Sequence, residues 1–326
     1  MSASLSANPT VPPVVEKGSS LWSDAFIRLK KNKLAMLGGI VVILILTACF
    51  IVTPILGAFG HDANEQNLAN RFAAPGSAGS LLGTDQLGRS MLMRVLEGGQ
   101  ISLLVAILST LLTVTLGIIY GGIAGYVGGR TEAIMMRIVD GLLAMPFLII
   151  VILFRELISA RTDLIAEWLV VNWRLSPELV LRFANLVPLI LAIAAFGWLT
   201  MGRIVRTAAA SLRRQEFVEA ARSLGLPHRR ILFRHILPNM LGPVIIYATL
   251  TIPSFILYEA TLSFIGLGIE PPNSSWGILI KEGANFLETY PVVLAIPAII
   301  FSLTLFAFNF LGDGLRDALD PKSSKD

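Results

Sequence analysis

The run Glu219-Ala220-Ala221-Arg222, followed by Gly225, Pro227 and Ile236-Leu237-Pro238, lies in a basic stretch with a long apolar segment on either side. A charged loop that carries two small residues and a lone glycine offers a surface for another protein. Glu219 and Arg222 stand three residues apart, where they pair with each other or meet a partner's charges. Ala220 and Ala221 carry so little side chain that a second polypeptide could approach the backbone closely. Gly225 suits the left-handed conformation that ends a helix, and Pro227 suits the start of the next. Phe217, Ala221 and Leu224 recur at i, i+4 and i+7, which predicts one apolar face on a helix over 215–224. Two short helices at an angle, projecting from the apolar bulk of the chain, are the expected result.

Other chemistry is sparse. Cys49 is the single cysteine, so no intrachain disulfide can form and no metal cluster is expected. His61, His228 and His235 form no ligand pattern. The chain lacks Gly-x-x-x-x-Gly-Lys-Ser/Thr and any other phosphate-cradling loop, so it is not expected to hydrolyse ATP. Glu259 and Asp140 are the chief charges inside apolar segments, and an ionisable residue there is a functional candidate. For Glu259, near one end of its segment, two readings stand side by side. It belongs with Trp276 to a translocation path or gate, or it lines a wet cavity or pairs with a neighbour.

The elements that must position these residues are membrane spans. Of 326 residues, 54% are hydrophobic and only 15% charged, against about 25% charged in a soluble domain; mean hydropathy is +0.72. Six stretches approach the ~20 apolar residues that cross a bilayer: Leu34–Phe59, Ile101–Tyr126, Ile134–Phe154, Phe183–Met201, Met240–Leu262 and Pro291–Leu311. Prolines 54, 146, 188, 243, 253 and 297 fall within them, tolerable where neighbouring helices and hydroxyl side chains satisfy the freed carbonyls. Gly117, Gly121, Gly122 and Gly125 recur near helical spacing and permit close helix approach. Leu46-Thr47-Ala48-Cys49 has the look of a lipoprotein cleavage box. Apolar character continues past the cysteine through Phe50, Ile51 and Val52, so an uncleaved first span is expected.

With the N-terminus cytoplasmic, the inner segments hold 18 Lys and Arg residues and the outer ones 8. That bias predicts both termini inside and places the 202–239 loop in the cytoplasm. It also explains the net charge of +4 without nucleic acid as a partner. Residues 1–19 are expected to be a disordered tail and 20–33 an amphipathic helix on the membrane surface. The first span and an outer loop follow over 34–99, a core with the 202–239 loop over 100–316, and a cytoplasmic tail over 317–326. Thr84 or Asp85 is expected to cap a following helix, and Ser176-Pro177-Glu178 to start the fourth span early, with Arg182 snorkelling outward. The 155–182 segment is expected to be a long outer loop with Trp168 and Trp173 at the headgroup layer. The segment around Ser263–Gly277 is expected to be re-entrant or interfacial.

Glu-Ala-Ala, three residues, Gly, and a later Leu-Pro resemble the signature loop of permeases of ATP-binding-cassette importers. Gly83-Thr84-Asp85 through Gly88-Arg89, Ser274-Ser275-Trp276-Gly277, and Phe308-Asn309-Phe310-Leu311-Gly312-Asp313-Gly314-Leu315-Arg316-Asp317-Ala318-Leu319-Asp320-Pro321 resemble the C-type membrane subunit of bacterial oligopeptide permeases. The His-Ile-Leu-Pro-Asn variant at 235–239 looks like the peptide branch. Ser90 and Gln100 depart from that pattern, and the 155–182 segment looks like an insertion. The resemblance implies an all-α inner-membrane protein of six spans with the type I importer fold. It also implies a homologous second permease, two ATPases that bind ATP and Mg, an extracytoplasmic peptide-binding protein and membrane lipid as partners. The loop residues Glu219, Ala220, Ala221, Arg222, Gly225, Pro227, Leu237 and Pro238 would dock into the ATPase and move with it. The implied cargo is oligopeptides; dipeptides, nickel chelates or antimicrobial peptides are the variants. A secondary transporter, from another class, would show buried membrane charges and an inverted internal repeat; no repeat is visible.

Overall fold

The computed structural model describes residues 21–77, 80–174, 176–270 and 273–319, and these are helical apart from turns and one isolated bridge between Thr84 and Ser90. The expected tail over 1–19 lies outside the described residues. Helix α1 (Leu21–Lys31) precedes α2 (Lys33–Ala58), and α3 (Met91–Val127) follows a long loop. Next come α4 (Gly129–Leu143), α5 (Phe147–Trp173), α6 (Pro177–Ala184) and α7 (Val187–Leu212). Helix α8 (Glu216–Ser223), α9 (His228–Phe264), α10 (Trp276–Ala284) and α11 (Pro291–Leu319) complete the chain. Five of these, α2, α3, α7, α9 and α11, are long and apolar enough to cross a bilayer. The bent pair α4–α5 supplies a sixth crossing if it counts as one span.

That pair corrects the expected third span. Ile134–Phe154 is not one helix; the chain turns by 92° between Leu143 and Phe147. Pro146 is extended there, with φ −62° and ψ 115°; it has no N–H to continue the ladder and disfavours helix in the residue before it. The expected 155–182 loop is also corrected. Helix α5 runs unbroken to Trp173, because 147–173 contains neither glycine nor proline. Its charges mark where the segment turns polar, not where the helix stops. Pro177 opens a helix as expected, but α6 is separate from α7 and does not extend it; the Arg182 side chain lies outside the described residues. At the chain's end, 317–319 are still helix and not tail.

Two helices contain a wide turn immediately before a proline. Residues 48–52 of α2 and 232–236 of α9 are wound with i to i−5 bonds, from Thr53 N–H to Ala48 O and from Leu237 N–H to Leu232 O. Pro54 and Pro238 follow directly. A proline ring clashes with the carbonyl four residues back, and the extra residue in the turn relieves that clash. Thr53 Oγ1 also donates to Ala48 O at 3.1 Å.

The core sits where α3 packs along α7, with α9, α10 and α11 closing around it. Helix α3 offers its glycines one turn apart. A Cβ on Gly117 would lie 2.4 Å from Met201 Cγ, on Gly121 2.3 Å from the Gly202 carbonyl oxygen, and on Gly125 2.3 Å from that of Arg206. Gly122 faces elsewhere; its nearest neighbour would be Leu232 at 3.9 Å. Around this seam Leu103, Val105, Ala106, Ala192, Ile193 and Val205 are fully buried. Helix α2 packs on α11 and leaves Leu37, Ile40, Ile43 and Leu44 exposed, the side a lipid would cover. Helix α4 is tied to the seam by ion pairs, Arg206 to Glu132 at 3.3 Å and Arg203 to Asp140. Asp140, one of the charges singled out in an apolar stretch, is thereby paired.

Gly121→Leu must push α3 and α7 apart and costs about 1–3 kcal/mol or more; a lowered melting temperature in detergent reads it out. Gly122→Ala has room for its Cβ and replaces a glycine inside a helix, so the melting temperature holds or rises slightly.

Candidate functional site

The connection between α7 and α9 is tighter than the expected 202–239 loop, because α7 continues to Leu212 and α9 begins at His228. Gln215, extended with φ −81° and ψ 147°, opens α8, and Glu216 and Glu219 occupy its first turn, where acid complements the positive end of the helix dipole. Leu226 N–H bonds Ala221 O at 3.2 Å and Gly225 N–H bonds Arg222 O at 2.9 Å. Gly225 adopts φ +73°, the left-handed stop the sequence predicts. Pro227 then accepts N–H bonds from Arg230 at 2.9 Å and Ile231 at 3.1 Å. The expected second short helix is corrected. What begins at Pro227 is the long α9, whose wide turn lets the ladder run on past Pro238 to Phe264.

The face of α8 also differs from expectation. Val218 and Ala221 are buried, against Val205, Ala209, Ile231, Ile236 and Met240, and Leu237 packs beside them. Phe217 is exposed, and Leu224 is 81% exposed. Helix α8 ends at Ser223, so Leu224 falls past its last turn and Leu226 fills the interior in its place. The outward surface therefore carries Phe217, Glu219, Ala220, Leu224, Gly225 and Pro227, with Pro238 exposed nearby. Glu219 and Arg222 do not pair within 4 Å. The Arg222 guanidinium instead lies over the Tyr126 ring, 5.6 Å from its centre.

Tyr126 fastens this loop to the last turn of α3. Its hydroxyl lies 2.7 Å from His228 Nδ1. Arg213 Nη1 donates to the Val127 carbonyl at 2.9 Å and the Tyr126 carbonyl at 3.2 Å, closing the carbonyl end of α3 with a cation. Both helices that flank α8, and α8 itself, thus hold one residue of α3.

Glu259 and Trp276 meet at the opposite end of the helices, and both are fully buried. Ser102 of α3 donates to Glu259 Oε2 at 2.6 Å, and Ser263 donates to Oε1 at 2.7 Å. Each hydroxyl also accepts a backbone N–H, from Trp276 onto Ser102 and from Ile269 onto Ser263, both at 3.2 Å. The Trp276 indole donates to Val95 O at 3.0 Å. Of the readings weighed for Glu259, the geometry matches pairing with neighbours; its carboxyl faces the hydroxyls of Ser102 and Ser263. An open cleft of about 360 Å³ lies beside it, between α7, α9 and the α4–α5 bend. Phe147, Phe196 and Tyr258 alternate there with Thr200, Thr251 and Ser254, a mixture of rings and hydroxyls.

A second polar cluster escaped the sequence reading. Asp85 is not a helix cap. Its Oδ1 accepts from Leu87 N at 2.8 Å and Arg89 N at 3.0 Å, and its Oδ2 from Arg89 Nε at 2.7 Å and Arg94 Nη1 at 2.8 Å. Arg94 is 4% exposed and reaches on to Glu282 of α10 at 2.6 Å. Thr84 likewise closes the loop, accepting from Ala73 N at 2.8 Å and donating to Asn70 O. Gly88, at φ +74°, has no room for a side chain; a Cβ would lie 1.8 Å from Asn67 O. The Gly-x-Asp-x-x-Gly-Arg spacing was the available signal, but its partner Glu282 is too distant in sequence to be seen there.

Comparison with known proteins agrees with this architecture. Residues 113–325 match the family of binding-protein-dependent transport system inner membrane components. Residues 20–75 match the N-terminal transmembrane domain of oligopeptide transport permease C. The chain is 42% identical over 307 residues to the oligopeptide transport system permease protein OppC of Haemophilus influenzae, covering 94% of this chain and 90% of that one. It is 39% identical over 312 residues to OppC of Bacillus subtilis, covering 96% and 93%. It is 40% identical over 304 residues to the dipeptide transport system permease protein DppC of Bacillus subtilis, covering 93% and 86%.

Arg94→Ala removes one of the two guanidinium groups that pair with Asp85 and the link on to Glu282, and is expected to cost about 1–3 kcal/mol, seen as a fall in melting temperature. Glu259→Ala strips the acceptor from two buried hydroxyls and costs about 1–3 kcal/mol. If Glu259 instead touches cargo, its replacement changes substrate preference while leaving the melting temperature in place.

Proposed function

This chain belongs to the family of binding-protein-dependent transport system inner membrane components, and from that membership we propose that it is the C-type permease subunit of an ATP-driven peptide importer. It is an integral inner-membrane protein, a permease by family. Oligopeptides are the proposed cargo, supported by the relatives that carry that name and by the match over residues 20–75. Dipeptides are the second reading, favoured by the similarity to a dipeptide permease at nearly the same identity.

The working complex in this reading contains a homologous second permease, two cytoplasmic ATPases that bind ATP and Mg, and an extracytoplasmic binding protein. Both termini and the α7–α9 connection lie on the cytoplasmic side, as the distribution of Lys and Arg supports. The observation that carries the docking role is the outward face of α8. Glu219, Ala220 and the 81% exposed Leu224 present charge, a bare backbone and an apolar anchor, while Val218 and Ala221 hold the helix down. An ATPase that grips this face moves α8, and Tyr126 and Arg213 pass the displacement to α3. The helices then exchange between an inward-open and an outward-open arrangement. The ring-and-hydroxyl cleft between α7 and α9 suits a peptide, whose backbone needs hydrogen-bond partners and whose side chains need apolar contact.

Gly225→Val tests the coupling role. The position is at φ +73° with open space around a new Cβ, so the substitution acts through backbone strain alone, about 1–2 kcal/mol or more for a left-handed residue. In the assembled transporter, peptide uptake is expected to fall and ATP hydrolysis to lose its dependence on substrate. Unchanged, substrate-coupled uptake overturns the docking role.

A further inference from the structure

A groove of about 660 Å³ runs along the outside of α3 to the foot of α8. Its long wall is apolar: Ile119 is 51% exposed, Ile123 39% and Phe233 55%. Ile119 and Ile123 lie in a helix long and apolar enough to cross a bilayer, within its apolar stretch Ile101–Tyr126 and just ahead of its basic end, which suits the acyl-chain side of the headgroup layer. The mouth is where α3 ends, and there the lining changes to Arg213, Arg222, Arg229 and His228. No carboxylate lines the groove, and among the described residues none of these three arginines makes an ion pair. Arg213 uses one nitrogen on the carbonyls of Tyr126 and Val127, which leaves its other amine free to donate.

We propose that this groove holds one anionic phospholipid, with an acyl chain along Ile119, Ile123 and Phe233 and its phosphodiester among Arg213, Arg222 and Arg229. The fit is one of charge and depth together. Guanidinium groups pair bidentately with phosphate oxygens, and basic side chains at a span's end attract anionic headgroups. A protein partner would have to match a cationic rim and a lipid-depth apolar wall at once. The site includes Arg222 of α8 and so joins the membrane surface to the loop. The proposal requires that α3 crosses the membrane; it does not depend on the cargo, and it keeps Arg222 turned toward Tyr126, off the outward face of α8.

The test uses the assembled transporter in nanodiscs of phosphatidylcholine with a minority of phosphatidylglycerol, read by native mass spectrometry. Phosphatidylglycerol is expected to be retained in preference to phosphatidylcholine. Arg213→Gln with Arg229→Gln lowers that preference by roughly fivefold per arginine. Equal retention of the two lipids by the unsubstituted transporter overturns the proposal, as does undiminished preference in the double variant. A separate measurement identifies another occupant. A phospholipid carrying a photoactivated diazirine on its acyl chain crosslinks to the Ile119–Ile123 segment of the assembled transporter if lipid fills the groove. No crosslink there means that a protein subunit covers it, and the lipid site is then abandoned. Uptake assayed alongside reports separately on the peptide-import reading.

Discussion

The close approach of α3 to α7 is the constraint on which the other contacts depend. In lipid there is little hydrophobic force to bring helices together, so association relies on how closely backbones can pack. Gly117, Gly121 and Gly125 remove the side chains that would hold the helices apart, and Met201, Gly202 and Arg206 occupy the space. The same register sets Arg203 and Arg206 opposite α4 and brings Arg213 to the end of α3. The loop that carries α8 is therefore aimed by glycines near the end of α3 opposite the two buried polar clusters.

Those polar clusters do different work from the glycine seam. Asp85, Arg94 and Glu282 join a loop, α3 and α10, with Asp85 accepting four hydrogen bonds. Glu259, Ser102 and Ser263 join α9 to α3, and Ser102 passes the connection to Trp276. Buried polar groups are costly when left unpaired and specific when every member is satisfied. Apolar helices slide easily past one another; carboxyl, hydroxyl and indole groups accept only one register. The two clusters thus select the arrangement that the glycines make possible.

What could be read in the sequence followed from local backbone chemistry. Gly225 as a left-handed stop and Pro227 as a helix start depend on neighbours only a few residues away, and both hold. The glycine spacing on α3 was legible for the same reason, except that Gly122 points elsewhere. Phe217 and Leu224 were misassigned because which side of an eight-residue helix is buried depends on α7 and α9. The third span and its loop differ from expectation because a rise in charge does not end a helix, while Pro146 does. Arg94 and Glu282 stand 188 residues apart, and no local pattern reveals that pairing. The matched families cover residues 20–75 and 113–325, yet such side-chain pairings become visible only when the helices are assembled.

Helix α9 extends from the foot of the α8 loop to the buried Glu259. Its 37 residues at about 1.5 Å each make a rod of roughly 55 Å, with the α8 loop at one tip and the serine–carboxyl knot near the other. A rod transmits rotation as well as displacement. Pro243, Pro253 and the wide turn at 232–236 interrupt its hydrogen-bond ladder, so they are where it yields to torsion. A twist applied at Pro227 would reach Glu259 attenuated by those three compliant joints, so their stiffness would set how much of it arrives.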